Sequence, residues 1–197
     1  MKLTKMIRYW KGFFFLGILF GFSFFSCSEK IIFEEIISDE LAKEIRYDSL
    51  IYGIHFGMTN KEFSEYCTDM NREKIFMPNQ NGSTVRLNLQ DGFGAPVHFD
   101  FFPDFENGGK ITKINASLQF RDFSYYNKNY AIENLLIEAK KNFERGYGGN
   151  KFLEMPHENS LLKYQYVKID GNRKIVLSPN FDGQLLNVVF EDLNPVH

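Results

Sequence analysis

The stretches "PDFENGGKI" (Pro103–Ile111) and "PNFDGQLL" (Pro179–Leu186) decide how this chain folds. Each opens with proline, then Asp or Asn, then Phe, and each breaks at a glycine shortly afterwards. Apolar and polar residues alternate on both sides of each stretch, which is the period-two pattern of β-strands. The same turn therefore recurs in two strand-rich parts of the chain, and this recurrence predicts an internal duplication.

Three runs of alternating residues surround the first of these stretches. Their apolar members share one side of each predicted strand: Val85, Leu87 and Leu89; Val97, Phe99 and Phe101; and Ile114, Ala116, Leu118 and Phe120. Around the second stretch, strands are predicted over residues 161–169, 174–178 and 185–190, with Asp170-Gly171-Asn172 as a hairpin turn between the first two. Short strands joined by tight turns favour an antiparallel meander.

A helix is predicted before each set of strands. Thr59 and Glu62 have the spacing of a capping box, in which each side chain accepts a hydrogen bond from the other residue's backbone N–H. The helix that follows, and a second helix that ends near Gly146, each carry an apolar stripe at helical spacing. The stripes are Phe63, Tyr66, Cys67 and Met70 in the first helix, and Ile132, Leu135, Leu136, Ala139 and Phe143 in the second. Cys67 is therefore predicted to be a core residue.

The predicted fold class is α+β: a tandem repeat of one helix and a three-stranded antiparallel meander, with the helices packed on one face of the sheet. Repeat one covers about residues 53–120 and repeat two about 130–192. The α+β domain is predicted at 51–197, after a tether at 27–50 with a possible short helix around Asp39 to Tyr47. Because two helices cover only one side of such a sheet, the other side is available to a partner.

The first 26 residues have the order of a bacterial export signal. Basic residues come first, and an apolar run of about 13 residues, Phe13–Phe25, follows. That run is shorter than the roughly 20 residues that a membrane-spanning helix needs, which favours a secretory signal over an anchor. Ser26 and Cys27 resemble the lipobox of bacterial lipoproteins, whose cysteine is acylated and becomes the mature N-terminus. The resemblance implies a lipoprotein signal peptide at residues 1–26 and an acyl chain such as palmitate on Cys27.

The rest of the chain is moderately acidic and poor in cysteine. Removing residues 1–26 takes away four of the 23 basic residues and none of the 25 acidic ones, so the remaining net charge is about −6. A surface of this sign argues against nucleic acid as a partner. Cys67 is the only cysteine besides Cys27, so no disulfide framework is predicted and packing must supply the stability.

The segment "YGIHFGMTNKEF" (Tyr52–Phe63) carries a second resemblance. Its Gly57-Met58-Thr59 helix start is similar to that of small lipoproteins of the β-barrel assembly machinery, and the duplicated helix and meander resemble the β-lactamase-inhibitor-protein fold. The chain after the signal also resembles a family of uncharacterised bacterial envelope lipoproteins with the same Gly-Met-Thr start. The first two resemblances imply protein binding, and the third implies no activity.

Few residues suggest catalysis or metal binding. His98 and Asp100 lie two positions apart on a predicted strand and could form half of a metal or general-base site, but they fit a solvent-facing sheet surface better. Cys67 and His55 could act as nucleophile and base, but Cys67 falls on an apolar helix stripe. The loop at Asp104 lacks the 12-residue ligand pattern of a calcium site. No cofactor and no metal is therefore predicted.

Two questions about the exported chain stay open at the level of sequence. Asp48-Ser49-Leu50 fits a short pattern for O-glycosylation of exported bacterial proteins, which makes Ser49 a candidate for modification, although such a tripeptide also arises by chance. The side of the membrane that carries the anchor is also open, because only Glu29 precedes Glu34 and Glu35 in the segment after Cys27.

The sequence favours a non-catalytic protein-binding or assembly module, held by lipid in the envelope of a Gram-negative bacterium, at the outer membrane. The predicted partner-binding residues lie on the open side of the sheet or in the aromatic linker that follows it: His98, Asp100, Phe102, Lys113, Asn115, Gln119, Phe123, Tyr125 and Tyr126. The linker aromatics could instead pack the two repeats together. The alternative function is an envelope hydrolase or carbohydrate-active protein that uses exposed carboxylates such as Asp100 and Asp104.

Overall fold

The computed structural model describes residues 25–80, 82–106, 109–124, 126–157, 162 and 164–195, with side chains from Phe33 onward. The chain divides into two compact units, one up to Asp39 and one from Glu40. In the described part of the chain, no helix combines the length and the hydrophobicity needed to cross a membrane. The sheet and the two helices that follow Gly57 belong to the second unit.

The described residues form three α-helices and one short 3₁₀ helix: α1 Phe25–Ala42, α2 Asn60–Arg72, the 3₁₀ helix Lys128–Tyr130 and α3 Ile132–Tyr147. The short helix expected around Asp39 to Tyr47 overlaps only the last residues of α1. The capping box before α2 is formed: the Thr59 hydroxyl accepts the Glu62 backbone N–H at 3.3 Å, and the Glu62 carboxylate accepts the Thr59 N–H at 2.8 Å.

Within the described ranges, eight strands form one sheet: β1 Phe76–Pro78, β2 Val85–Leu89, β3 Val97–Glu106, β4 Lys110–Phe120, β5 Leu153–Pro156, β6 Tyr164–Asp170, β7 Arg173–Pro179 and β8 Leu186–Asp192. Their order across the sheet is β1-β2-β3-β4-β8-β7-β6-β5, and every neighbouring pair is antiparallel. The α+β class and the antiparallel sheet predicted from the sequence are confirmed.

The edge strands β1 and β5 are not among the strands that the sequence predicts. They are only three and four residues long and end in Pro78 and Pro156. Runs this short do not display an alternating pattern, and a proline counts against a strand in a sequence. At an edge, however, a residue without an N–H can leave the ladder intact, because one side of the strand has no partner.

β3 also runs further than predicted. The sequence places a turn from Pro103 onward, whereas the strand continues through Pro103 to Glu106. Neighbouring β2 pairs only with Val97 to Phe101 of β3, so Pro103 lies where the strand has a partner on one side alone. Its missing N–H therefore costs no hydrogen bond to β2.

One face of the sheet, which we call the core face, carries the hydrophobic core. Phe101 in β3 and Phe190 in β8 are fully buried there. The ring of Phe63 in α2 lies 5.8 Å from that of Phe105, and the ring of Phe143 in α3 lies 6.0 Å from that of Phe190, both centre to centre and edge-to-face. These aromatic contacts join α2 and α3 to the sheet. Their interaction energy adds to the stabilisation that comes from burying the rings.

Candidate binding face

The face of the sheet opposite the core face carries mostly polar side chains on β2, β3 and β4. We call this set the polar face; it consists of Arg86, Asn88, His98, Asp100, Phe102, Asp104, Lys113, Asn115, Ser117 and Gln119. Side chains of a strand alternate between the two faces, so the strand register brings these ten together. All ten are at least partly exposed to solvent.

The six strand residues predicted to meet a partner all lie on the polar face: His98, Asp100, Phe102, Lys113, Asn115 and Gln119. The register sets His98 opposite Gln119 and Phe102 opposite Asn115. Side chains in such cross-strand positions have Cβ atoms only about 5 Å apart, so the six form one continuous patch. Phe102 is 46% exposed and offers an apolar ring beside these polar groups.

The charged groups in the middle of the polar face are paired with each other. Arg86 donates two hydrogen bonds to the Asp100 carboxylate, at 2.6 and 2.7 Å. This two-point contact fixes both side chains more firmly than a single bond would. Asn115 donates to the Asp104 carboxylate at 2.7 Å. What the face offers a partner is therefore amide, hydroxyl and ring surface around one ion pair, together with the charged groups of Asp104 and Lys113 at one end.

His98 is held in the same network. Its Nδ1 lies 2.6 Å from Oδ1 of Asn88 on the neighbouring strand. Partial burial, together with the positive charge of Arg86, lowers the pKa of His98 below its ordinary value. The imidazole is therefore neutral at neutral pH, and it serves the face as a hydrogen-bonding group.

No group of three or more His, Cys, Asp or Glu side chains among the described residues could hold a metal ion. The two carboxylates considered for a hydrolase both have partners on this face. Asp100 pairs with Arg86, and Asp104 accepts a hydrogen bond from Asn115.

This side of the sheet is not accessible throughout. Val167 and Ile169 of β6 lie on the same side as the polar face but are only 2% and 3% exposed. Between the two regions, the partly exposed Lys174 of β7 and Glu191 of β8 form an ion pair at 2.5 Å. The open side expected from the sequence is therefore not available as a whole, and the polar face is one accessible part of it.

The aromatic linker after β4 divides into exposed and packed residues. Tyr126 is 98% exposed, so it does not pack the two halves of the sheet together. Phe123 is half-buried, and Tyr125 lies outside the described residues. The contact with the sheet comes from Tyr130, whose ring centre lies 5.3 Å from that of Phe120.

The remaining residues singled out from the sequence are Ser49, Cys67 and Cys27. Ser49 is exposed, and its backbone carbonyl accepts a hydrogen bond from Arg173 at 3.0 Å. Cys67 is half-buried and packs at the margin of the core, so its predicted core position is only partly realised. The side chain of Cys27 lies outside the described residues, although its backbone belongs to α1.

A buried ionic cluster, which the sequence did not predict, lies at the β6–β7 turn. Lys168 is fully buried, and its ammonium donates to the carbonyls of Gly148 and Asn150 at 2.5 and 2.6 Å and lies 2.6 Å from the Asp170 carboxylate. Arg173 also reaches Asp170, at 3.4 Å. One sequence feature could have indicated the cluster: Lys168 and Asp170 are two positions apart on a strand, so their side chains lie on the same face.

Two tyrosines enclose the second cation of this cluster. The Arg173 guanidinium lies 5.2 Å from the ring centre of Tyr47 and 4.4 Å from that of Tyr147. Burial raises the pKa of Tyr147, whose hydroxyl donates to the carbonyl of Leu50. Lys168 ties the loop after α3 to the sheet, and Arg173 ties the segment before α2 to it, so the cluster is structural.

Comparison of the chain with protein families, curated proteins and solved structures found no match.

Proposed function

We propose that this chain is a lipid-anchored cell-envelope protein that acts as a non-catalytic protein-binding or assembly module. Cys27 is the lipid acceptor, and the anchor holds the domain at the outer membrane of a Gram-negative bacterium. The polar face is the surface that meets the partner. One observation carries the proposal: six side chains chosen from sequence alternation lie together on an accessible part of the sheet, around the 46% exposed ring of Phe102.

The chemistry of this surface supports protein binding over catalysis. Protein interfaces combine aromatic rings and paired polar groups with few unpaired charges at their centre. Phe102 supplies the ring, and the Arg86–Asp100 pair supplies a rigid polar contact. A hydrolase would need two free carboxylates facing a cleft, and both candidates are engaged in hydrogen bonds.

We also propose that the domain is a tandem repeat, with the helices packed on one face of the sheet. The supporting observation is the strand order, which runs from edge to centre as β1-β2-β3-β4 in one half and as β5-β6-β7-β8 in the other. α2 precedes the first set and α3 the second. The two Pro-Asp/Asn-Phe motifs lie at equivalent places, at the end of the third strand of each set. The unit would thus be one helix and four strands, one strand more than the sequence suggests.

The anchor is tested by a single substitution. Cys27→Ala should release the protein from the membrane fraction and abolish labelling by an alkyne analogue of palmitate, because Cys27 is the only acceptor proposed. Cys67→Ala is the matched control and should leave both measurements unchanged. Membrane retention of Cys27→Ala, together with unlabelled wild-type protein, would exclude the lipid anchor.

The binding surface is tested by affinity capture from crosslinked envelopes. The double variant Asn115→Arg, Gln119→Arg places two charges on the polar face and should lose a stoichiometric protein partner that the wild type retains. The double variant Glu65→Arg, Asp69→Arg, on the exposed side of α2, is the control and should retain it. If both variants recover the same proteins, or if the purified chain turns over members of a glycan panel, the proposal fails.

A further inference from the structure

Strand β3 has an open edge over part of its length, in addition to the outer edges of the sheet at β1 and β5. β3 is ten residues long, but β2 pairs only with its first five, Val97 to Phe101. Phe102 to Glu106 pair with β4 on one side, and no described residue pairs with them on the other. A strand edge of this kind presents unpaired backbone groups to any extended chain that approaches.

The hydrogen-bonding pattern shows which backbone groups point to the open side. Arg121 N–H donates to the Pro96 carbonyl at 2.9 Å, and Gly109 N–H donates to that of Glu106 at 3.2 Å, so even-numbered residues at both ends of β3 face β4. Main-chain groups of successive residues point to opposite sides of a strand. Pro103 and Phe105 therefore face the open side of β3. Pro103 is buried, so the accessible groups are the carbonyl and the N–H of the half-buried Phe105.

A two-lobed groove lies between this edge and helix α2. We call it the edge groove; its first lobe is about 420 Å³ and its second about 220 Å³. The first lobe is lined by Phe63, Ser64 and Phe105, among others, and the two lobes share Cys67, Asn71 and Phe102. The helix and the strand edge thus form two walls of one channel.

The groove has no charge of its own. Every described residue that lines either lobe is apolar or carries only an amide, hydroxyl or thiol group. Within the second lobe, the hydroxyl oxygen of Thr84 is buried and has no hydrogen-bond partner among the described residues. An occupant that matches these walls is uncharged, partly apolar and able to make backbone-type hydrogen bonds.

We propose that the edge groove binds an uncharged, extended peptide segment of a partner protein, which adds to β3 as a further strand. One N–H of the peptide donates to the carbonyl of Phe105, and one peptide carbonyl accepts from the Phe105 N–H. Alternate peptide side chains enter the lobes beside Phe63 and Cys67. Because Pro103 offers no N–H, the single donor at Phe105 fixes the register of the peptide.

This site is separate from the polar face, with which it shares only Phe102, so the two proposals can fail independently. Peptide binding that is lost in Asn115→Arg, Gln119→Arg but kept in a groove variant would support the polar face and overturn the edge groove.

The test uses the full chain and a library of six-residue peptides made from Val, Ile, Thr, Phe, Asn and Ser, with acetylated and amidated ends. For the best binder, Ser64→Trp should weaken the Kd by about tenfold or more, because the indole fills the first lobe. Glu65→Trp, on the next residue of α2 but outside the lining, is the matched control and should change the Kd by less than about twofold.

The backbone contacts are tested separately. Methylation of the peptide nitrogen that donates to Phe105 should weaken binding by about tenfold, whereas methylation of the next nitrogen should not. Bound peptide should also slow hydrogen exchange of the Phe105 amide. If no peptide binds below about 1 mM, or if neither Ser64→Trp nor methylation weakens binding, the edge groove is not a peptide site.

Discussion

At the residue scale, the fully buried Lys168 connects several buried polar groups of the domain. Its three N–H groups are all used, on two carbonyls and on Asp170, so it joins the loop after α3 to strand β6. Glu40 lies in the same region. Burial alone would raise the pKa of Glu40, but hydrogen bonds from Lys43, Gly171 and Asn150 outweigh that effect and lower the pKa overall. Removing one partner of such a cluster leaves others buried and unpaired.

Lys168→Met should therefore lower the free energy of unfolding by about 3 kcal/mol or more, because the two carbonyls lose their donor and Asp170 loses its closest cation. Lys174→Met, which removes a partly exposed ion pair with Glu191, should cost less than about 1 kcal/mol. Urea unfolding of both variants measures the difference. Equal losses would mean that the buried cluster contributes no more than a surface pair.

Cys67 gives a second prediction at this scale. Burial raises the pKa of Cys67 to about 11, because it disfavours the charged thiolate. Below that pKa, the thiolate fraction and hence the rate of alkylation rise about tenfold per pH unit. The rate with iodoacetamide, followed by mass spectrometry of the Cys67 peptide, should keep rising through pH 10. A plateau near pH 9, as in the urea-unfolded chain, would contradict a buried thiol.

The sequence predicts residues well where a regular pattern decides them. Alternation alone put His98, Phe102 and Gln119 on one face, since a strand leaves no other choice. It did not predict that Arg86 neutralises Asp100, because that contact depends on the register between β2 and β3. Contacts between residues far apart in the chain are set by tertiary structure and leave no local signal.

At the scale of elements, helix α2 is fixed at its first turn. The Thr59–Glu62 capping box satisfies backbone donors that the helix itself cannot. Thr59→Ala should cost about 1 kcal/mol of unfolding free energy in urea. Thr68→Ala, at an exposed position later in the same helix, should change it by less than about 0.5 kcal/mol, because the better helix propensity of alanine offsets the lost hydroxyl bond to Ser64. Equal losses in the two variants would show that the cap has no special part in stability.

The β6–β7 hairpin depends on Gly171, which has a φ of 51°. A Cβ at this position would lie 2.1 Å from the backbone oxygen of Ile45, whereas a Cβ at Gly57, with φ of 80°, would meet nothing within 4 Å. Gly57→Ala should cost about 1–2 kcal/mol for its backbone conformation alone. Gly171→Ala should cost about 1–3 kcal/mol more, since the clash is added. Thermal unfolding of the two variants compares them, and equal losses would rule out the close approach to Ile45.

The elements predicted correctly are those with long periodic patterns or a cap. α2, α3 and most of β2, β3 and β4 follow from apolar spacing and from the capping box. β1 and β5 were missed because three or four residues cannot show a period, and both end in proline. The length of β3 was underestimated for a related reason: whether proline ends a strand depends on whether a neighbour needs its N–H.

At the scale of the whole molecule, one sheet carries two different surfaces on its outer side. The half formed by β1 to β4 exposes a polar patch with one phenylalanine, whereas Val167 and Ile169 of the other half are buried. The sequence predicted the sheet but not this division, because both halves have the same alternation. A proposed anchor at Cys27 and a proposed binding face in the first half together define a module that is held by lipid and recognises a protein.

The central claim, that the polar face meets a protein partner, is tested most directly by photocrosslinking in living cells. A photoreactive amino acid is placed at Gln119 on the polar face and, in a second strain, at the exposed Lys141 on α3. The claim predicts a discrete protein adduct from position 119 and none from position 141. No adduct at 119, or the same adducts from both positions, would contradict it.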